Sequence, residues 1–199
     1  LLDIFEINAL GNHNILNASA VIALAHQLKI STAKIKNGIL KYTGVQRRFE
    51  IKHKINDIIF VDDYAHHPSE IEATLKSTKK SYPNRRIIAM FQPHLYSRTQ
   101  DFYREFAKAL LVADEIFIAK IYPAREKPID GITSQLIADI VEKSGHKKIR
   151  YIKDFTELEN EIASIIREND ILISLGAGTI NMSLEKIYEI YEQRIMQKK

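Results

Sequence analysis

The sequence predicts an α/β fold: a doubly wound, mostly parallel sheet with one antiparallel edge strand, preceded by a short helical segment. Three observations predict it. Beyond residue 45, short apolar runs alternate with amphipathic stretches of ten or more residues, the rhythm of βαβ units. The first two of those runs are separated only by Asn56-Asp57, a turn signal that makes the leading strand antiparallel. The chain has 199 residues, 45% of them hydrophobic and 27% charged, enough to bury a core of this size.

Taken in order, residues 1–10 read as the end of a strand running to Gly11. From Asn14 to Leu28, apolar residues at Ile15, Leu16, Ala18, Ile22, Ala25 and Leu28 follow helical spacing. Ser31 opens a second helix carrying Ile35, Ile39 and Leu40. Thr43-Gly44 interrupts the pattern, so a boundary is placed there, dividing the chain into 1–44 and 45–199. Strands are expected at 49–55 and 58–61, then a helix at 68–80 with Pro68 in its first turn and Glu70 and Glu72 favouring the helix dipole. Strand 86–91, helix 99–112 and strand 115–119 follow. A helix at 134–143, strand 149–152, helix 155–167, strand 171–175 and helix 180–193 complete the series.

Composition removes several classes of function. With no cysteine there are no disulfides, thiolate metal sites or cysteine nucleophiles, which fits a reducing compartment. No apolar run approaches the roughly 20 residues of a membrane span, and no signal-peptide pattern opens the chain, so a cytoplasmic location is expected. The net charge is +4, but basic residues cluster only in pairs such as Lys79-Lys80 and Arg85-Arg86, with acids interleaved and no alternating aromatics. That describes a solvated surface rather than a nucleic-acid groove. Only 7 glycines occur and no Gly-x-x-x-x-Gly-Lys-Ser/Thr stretch is present, so phosphate chemistry here lacks its usual cradle.

In a doubly wound sheet, ligands bind beyond the carboxyl ends of the strands. Two consecutive strands are followed by Asp62-Asp63-Tyr64-Ala65-His66-His67-Pro68 and by Gln92-Pro93-His94-Leu95-Tyr96-Ser97-Arg98-Thr99. One rim thus receives two carboxylates, three histidines and an arginine. Adjacent His66 and His67 make a poor metal pair, because loop neighbours point apart and common ligand spacing is one helical turn. A serine relay through Ser69 or Ser97 lacks a Gly-x-Ser-x-Gly elbow. Arg98 with His94 suits an anion, since a guanidinium fork contributes about 1.5–3 kcal/mol per charged hydrogen bond. Asn14 and Asn17 share one helix face, where amides suit a purine edge or a ribose or simply cap the helix. Arg47-Arg48 at the boundary suits a phosphate or an interdomain ion pair, and Gly176-Ala177-Gly178 a phosphate loop or a tight turn.

Gly11-x-His13-Asn14-x-x-Asn17, Gly44-Val45-x-Arg47-Arg48-Phe49, Asp62-Asp63-Tyr64-Ala65-His66-His67-Pro68, Phe91-Gln92-Pro93-His94 and Tyr122-Pro123-Ala124-x-Glu126, in this order, resemble the Mur ligases. The resemblance spans essentially the whole chain. Tyr64 and Pro93-His94 resemble the member that joins L-alanine to UDP-N-acetylmuramate more than the murein-peptide recycling member. It implies an ATP-dependent carbon–nitrogen ligase of peptidoglycan synthesis that forms an acyl phosphate, with magnesium as cofactor. It further implies that residues 1–44 are the tail of a central ATP-binding domain and 45–199 a Rossmann-like C-terminal domain. By that resemblance His13, Asn14, Asn17, Arg48 and Asp63 would contact ATP, with Asp63 holding the ribose or orienting Arg48. Tyr64, His66, His94 and Arg98 would face UDP-N-acetylmuramate and alanine. Leu95 departs from the arginine of many relatives, and the P-loop and magnesium ligands of the family lie outside this sequence. The resemblance therefore implies that these 199 residues do not catalyse ligation alone. A non-catalytic α/β module for nucleotides or anions is the competing reading.

Overall fold

The computed structural model describes residues 3–8, 12–42 and 45–197, apart from the side chains of 12 and 13. Gly11, Thr43, Gly44 and the side chain of His13 thus lie outside the described residues. The chain forms two compact units that divide between Gln46 and Arg47.

The first unit contains α1 (Asn12–Gln27) and α2 (Thr32–Lys41). The strand expected over residues 1–10 is not seen in residues 3–8, which adopt neither helix nor strand. The reason is simple: the described part of this unit offers no strand to pair with, and a lone strand leaves its backbone groups unsatisfied. Asn8 instead donates its side-chain amide to Leu40 O at 2.7 Å, and Asp3 pairs with Lys36 at 2.7 Å.

The second unit is a six-stranded sheet with helices on both faces. In chain order it contains β1 (Glu50–Ile55), β2 (Ile58–Asp63), α3 (Pro68–Ser81), β3 (Arg86–Phe91) and α4 (Tyr96–Leu110). There follow β4 (Glu115–Ala119), α5 (Gln135–Lys143), β5 (Ile149–Ile152), α6 (Phe155–Ile165), β6 (Asp170–Leu175) and α7 (Ile180–Met196). The strand order is β1-β2-β6-β3-β4-β5, parallel throughout except for the β1–β2 hairpin. Asn56 and Asp57 both take positive φ, 45° and 57°, as a two-residue hairpin turn requires. At the rim the boundaries differ from the sequence reading: β2 continues through Asp62 and Asp63, and α4 begins at Tyr96 rather than 99.

Side chains of the parallel strands alternate between two cores. Val61, Ala89, Phe91, Ile118 and Ile173 pack with Leu75 and Phe106 on the α3–α5 face. Phe60, Ile88, Met90, Phe117 and Leu172 pack with Ile162 and Leu184 on the α6–α7 face. Among the described residues no helix is long and apolar enough to cross a membrane.

At the sheet's opposite end from the rim, Arg86 binds Asp170 in a bidentate pair at 2.8 and 2.5 Å. It also donates to Glu115 at 3.0 Å and to Ile165 O at 2.9 Å. Asp170 and Glu115 are buried, so this guanidinium locks the amino ends of β3, β4 and β6 together. Arg86→Met is expected to destabilise the fold by about 3–5 kcal/mol, because two buried carboxylates lose their main counter-charge. Urea unfolding at neutral pH measures this; a loss under about 1 kcal/mol would contradict it.

Candidate functional site

The parallel register decides where the rim residues start. Asp63 and Phe91 both lie abreast of Leu175, so the segments beginning at Tyr64, Gln92 and Gly176 leave the sheet side by side. The Gly176-Ala177-Gly178 segment is not an open phosphate cradle. A Cβ on Gly178 would come within 2.3 Å of Gln92 Oε1 and 2.8 Å of the Tyr122 ring; one on Gly176 would meet Gln92 O at 2.8 Å. Gln92, fully buried, fills that space: its Oε1 accepts the amides of Thr179 at 2.8 Å and Ile180 at 3.1 Å. The amino end of α7, where an anion would otherwise sit, is thereby occupied.

A second tie comes from Arg47. Its Nε donates to Asp62 at 3.0 Å and its Nη2 to Gly176 O at 2.8 Å, while the guanidinium lies 4.9 Å from the Tyr64 ring centre. Its backbone carbonyl accepts the Tyr64 amide at 2.6 Å. Ser174 completes the cluster by donating to Asp62 at 2.7 Å. Arg47 thus joins the chain's entry into the unit with the ends of β2 and β6. Arg48 is exposed and makes no hydrogen bond or ion pair among the described residues.

Among the described residues no hydrogen bond joins Asp63 to Arg48, one of the two roles the resemblance implies for Asp63, the other being to hold the ribose. Its carboxylate accepts the amides of Ala65 at 2.9 Å and Phe49 at 3.2 Å and the Thr74 hydroxyl at 3.0 Å. Burial raises its pKa, the neighbouring Asp62 adds to this, and the three donors counter it. Asp63 therefore folds the loop back onto α3.

Across the rim runs a row of rings. Tyr64 meets His66 edge-on at 5.3 Å, His66 meets His94 at 6.2 Å, and His94 stacks on Tyr122 at 5.6 Å. His66 Nδ1 lies 3.0 Å from Tyr64 O. His67 leaves the row: it packs against Phe102 at 5.1 Å and hydrogen-bonds Ser69 at 2.9 Å. Beside His94 lies Arg98, half-buried in the first turns of α4. The Nδ1 of His94 and the Nη1 of Arg98 are both shielded from solvent and without hydrogen-bond partners among the described residues. Two unsatisfied polar atoms, one of them on a guanidinium, fit an incoming oxyanion.

In the first unit, Asn14 and Asn17 sit on α1, with Asn14 half-buried and Asn17 exposed. The site residues of the two units belong to separate bodies. Arg47, Gln92 and Glu126 are the rim residues whose structural roles sequence reasoning missed. All three lie inside motifs that carry the family resemblance, Arg47 directly beside Arg48.

Burial holds the His94 pKa below the usual histidine range, with Arg98 and His66 acting in the same direction and Glu126 against them. A histidine depressed in the folded state resists protonation that the unfolded chain accepts. Its contribution to stability is complete above the ordinary value near ~6.5 and is lost as pH falls through its folded pKa. Titration of the His94 ring by NMR is expected to show a midpoint below ~6.5 that rises in Arg98→Gln. An ordinary midpoint unmoved by that substitution would contradict the arrangement.

Comparison with known proteins assigns the rim a family. The model of the family "Mur ligase, glutamate ligase domain" matches residues 47–178. The UDP-N-acetylmuramate–L-alanine ligase of Salinibacter ruber is 41% identical over 191 residues, covering 96% of this chain and 40% of the relative. The enzyme of the same name from Geotalea uraniireducens is 46% identical over 170 residues, covering 85% of this chain and 37% of the relative. The crystal structure of UDP-N-acetylmuramate–alanine ligase from Thermotoga maritima superposes with a TM-score of 0.81 at 33% identity, over 96% of this chain and 40% of that one. The chain thus spans about 40% of the length of these relatives. With the family model covering most of the sheet unit, this chain belongs to the Mur ligase family.

Proposed function

We propose that the chain is the carboxyl-terminal part of an ATP-dependent ligase that joins L-alanine to UDP-N-acetylmuramate in peptidoglycan synthesis, working in the cytoplasm. Residues 1–44 would belong to a central ATP-binding domain of that enzyme, and 45–199 to its C-terminal domain. One observation carries the reading. His94 and Arg98, which the family resemblance directs toward the substrate, each keep a buried polar atom without a partner among the described residues. The similarity to relatives named for this reaction supports the choice of substrates.

In this reading the sugar-linked carboxylate attacks the γ-phosphoryl group of ATP, releasing ADP and forming an acyl phosphate. The alanine amine then attacks the acyl carbon and expels phosphate. Positioning and charge stabilisation carry such steps. Arg98 would hold a substrate oxyanion through its unsatisfied Nη1. His94, kept neutral near pH 7, adds a polar ring nitrogen without another positive charge. Tyr64 and His66 would border the same substrate, while the resemblance assigns ATP contacts to Arg48 and Asp63 of this unit and, separately, to His13, Asn14 and Asn17 of the other. Magnesium supplies charge neutralisation in such chemistry. Among the described residues no group of three carboxylate or imidazole side chains could hold a metal ion. These residues would not hold magnesium by themselves, and in this reading its ligands lie outside this sequence.

The isolated 199-residue chain is expected to release no ADP in the presence of both substrates and ATP; turnover by it would overturn the assignment of only a supporting part of the site. Grafted in place of the matching segment of the Thermotoga maritima ligase, it is expected to restore ADP release dependent on alanine and UDP-N-acetylmuramate. In that chimera Arg98→Ala should raise the KM of a substrate by about tenfold to a hundredfold, the range for a lost charged hydrogen bond. A well-folded chimera without activity would contradict the reading.

A further inference from the structure

The motif Tyr122-Pro123-Ala124-x-Glu126 has no role in the reading above, yet it holds the segment that carries His94 and Arg98. The loop after β3 and the loop after β4 are joined rung by rung. The Tyr122 amide donates to Pro93 O at 2.8 Å, the Leu95 amide donates to Tyr122 O at 2.9 Å, and the Tyr122 ring supports His94. Glu126 then closes the joint: one carboxylate oxygen accepts the Ser97 amide at 3.0 Å and the other accepts the Ser97 hydroxyl at 2.5 Å.

Helix α4 needs such a partner. Its N-cap is Leu95, whose side chain cannot accept a hydrogen bond from the first-turn amides. Leu95 also takes φ 72° and ψ 139°, a conformation costly to a branched side chain and maintained only where the surroundings enforce it. A carboxylate at this amino end satisfies an orphan amide and meets the positive end of the helix dipole. Because Glu126 comes from another strand's loop, it fixes the start of α4, and hence Arg98 one turn in, relative to β4.

We infer that Glu126 is a positioning residue: a helix cap supplied from the neighbouring loop that holds Leu95 in its strained conformation and so aims His94 and Arg98 across the rim. The inference rests on the reading of His94 and Arg98 as substrate-facing, but the clamp itself can be tested without any substrate. Glu126→Ala removes both acceptors; Glu126→Gln keeps a carbonyl acceptor for the Ser97 amide and removes the charge.

The test is NMR on the 199-residue chain. In Glu126→Ala the Ser97 amide is expected to exchange with solvent at least about tenfold faster and the ring-current shifts between His94 and Tyr122 to collapse. In Glu126→Gln exchange should rise less and the rings stay stacked. The His94 titration midpoint should nevertheless fall, because the carboxylate no longer favours the imidazolium. Core amides such as those of Met90 and Leu172 report that both variants remain folded. Unchanged Ser97 exchange and unchanged His94 signals in folded Glu126→Ala would overturn the proposal. A confirmed clamp in a chain whose chimera is inactive would instead locate the failure in the ligase reading.

Discussion

The insertion of β6 between β2 and β3, parallel to both, is the constraint on which the rim depends. The last strand of the sheet in sequence occupies its centre, so helices α3 to α5 carry the chain outward on one face and α6 returns it on the other. Parallel register then brings Asp63, Leu175 and Phe91 level. Three loops far apart in sequence consequently begin at one place, with their side chains held by a sheet that is apolar on both faces. Sheets of this kind cannot shift by one residue without turning a whole core set toward the wrong helix layer.

On that frame the rim is tied by polar groups that leave little freedom. Arg47 links β2 to the loop after β6, Gln92 links β3 to the amino end of α7, and Glu126 links the β4 loop to α4. Each tie crosses between strands, so each fixes one loop by reference to another. Among the described residues, His94 and Arg98 each carry a buried polar atom without a partner at this rim. Loops tied in this way hold their side chains in place before any ligand arrives, which would lower the ordering cost of binding.

Most of the fold was legible because strands covered on both faces read as continuous apolar runs and the helices between them keep a clean period. The rim was legible as a set of residues, because chemistry-bearing side chains follow β2 and β3 directly. Its internal logic was not. Gln92 reaches Thr179 across 87 positions and Glu126 reaches Ser97 across 29, so no local pattern reveals either pairing. The sequence spacing starts α4 at 99, three residues past its observed start, for the same reason: its cap is not local. Of two adjacent arginines, Arg47 turns inward to Asp62 while Arg48 stays exposed, and sequence offers no way to rank such neighbours before the fold sets the turn.

If the proposed function holds, substrate meets this chain at the rim of the sheet unit. Backbone and histidine-ring NMR of the 199-residue chain titrated with UDP-N-acetylmuramate tests it most directly. Saturable shifts centred on Tyr64, His66, His94 and Arg98 are expected, with the β5 edge and the Arg86 cluster silent. Shifts centred on those distant regions, or none at the rim as the ligand is raised well into the millimolar range, would contradict it.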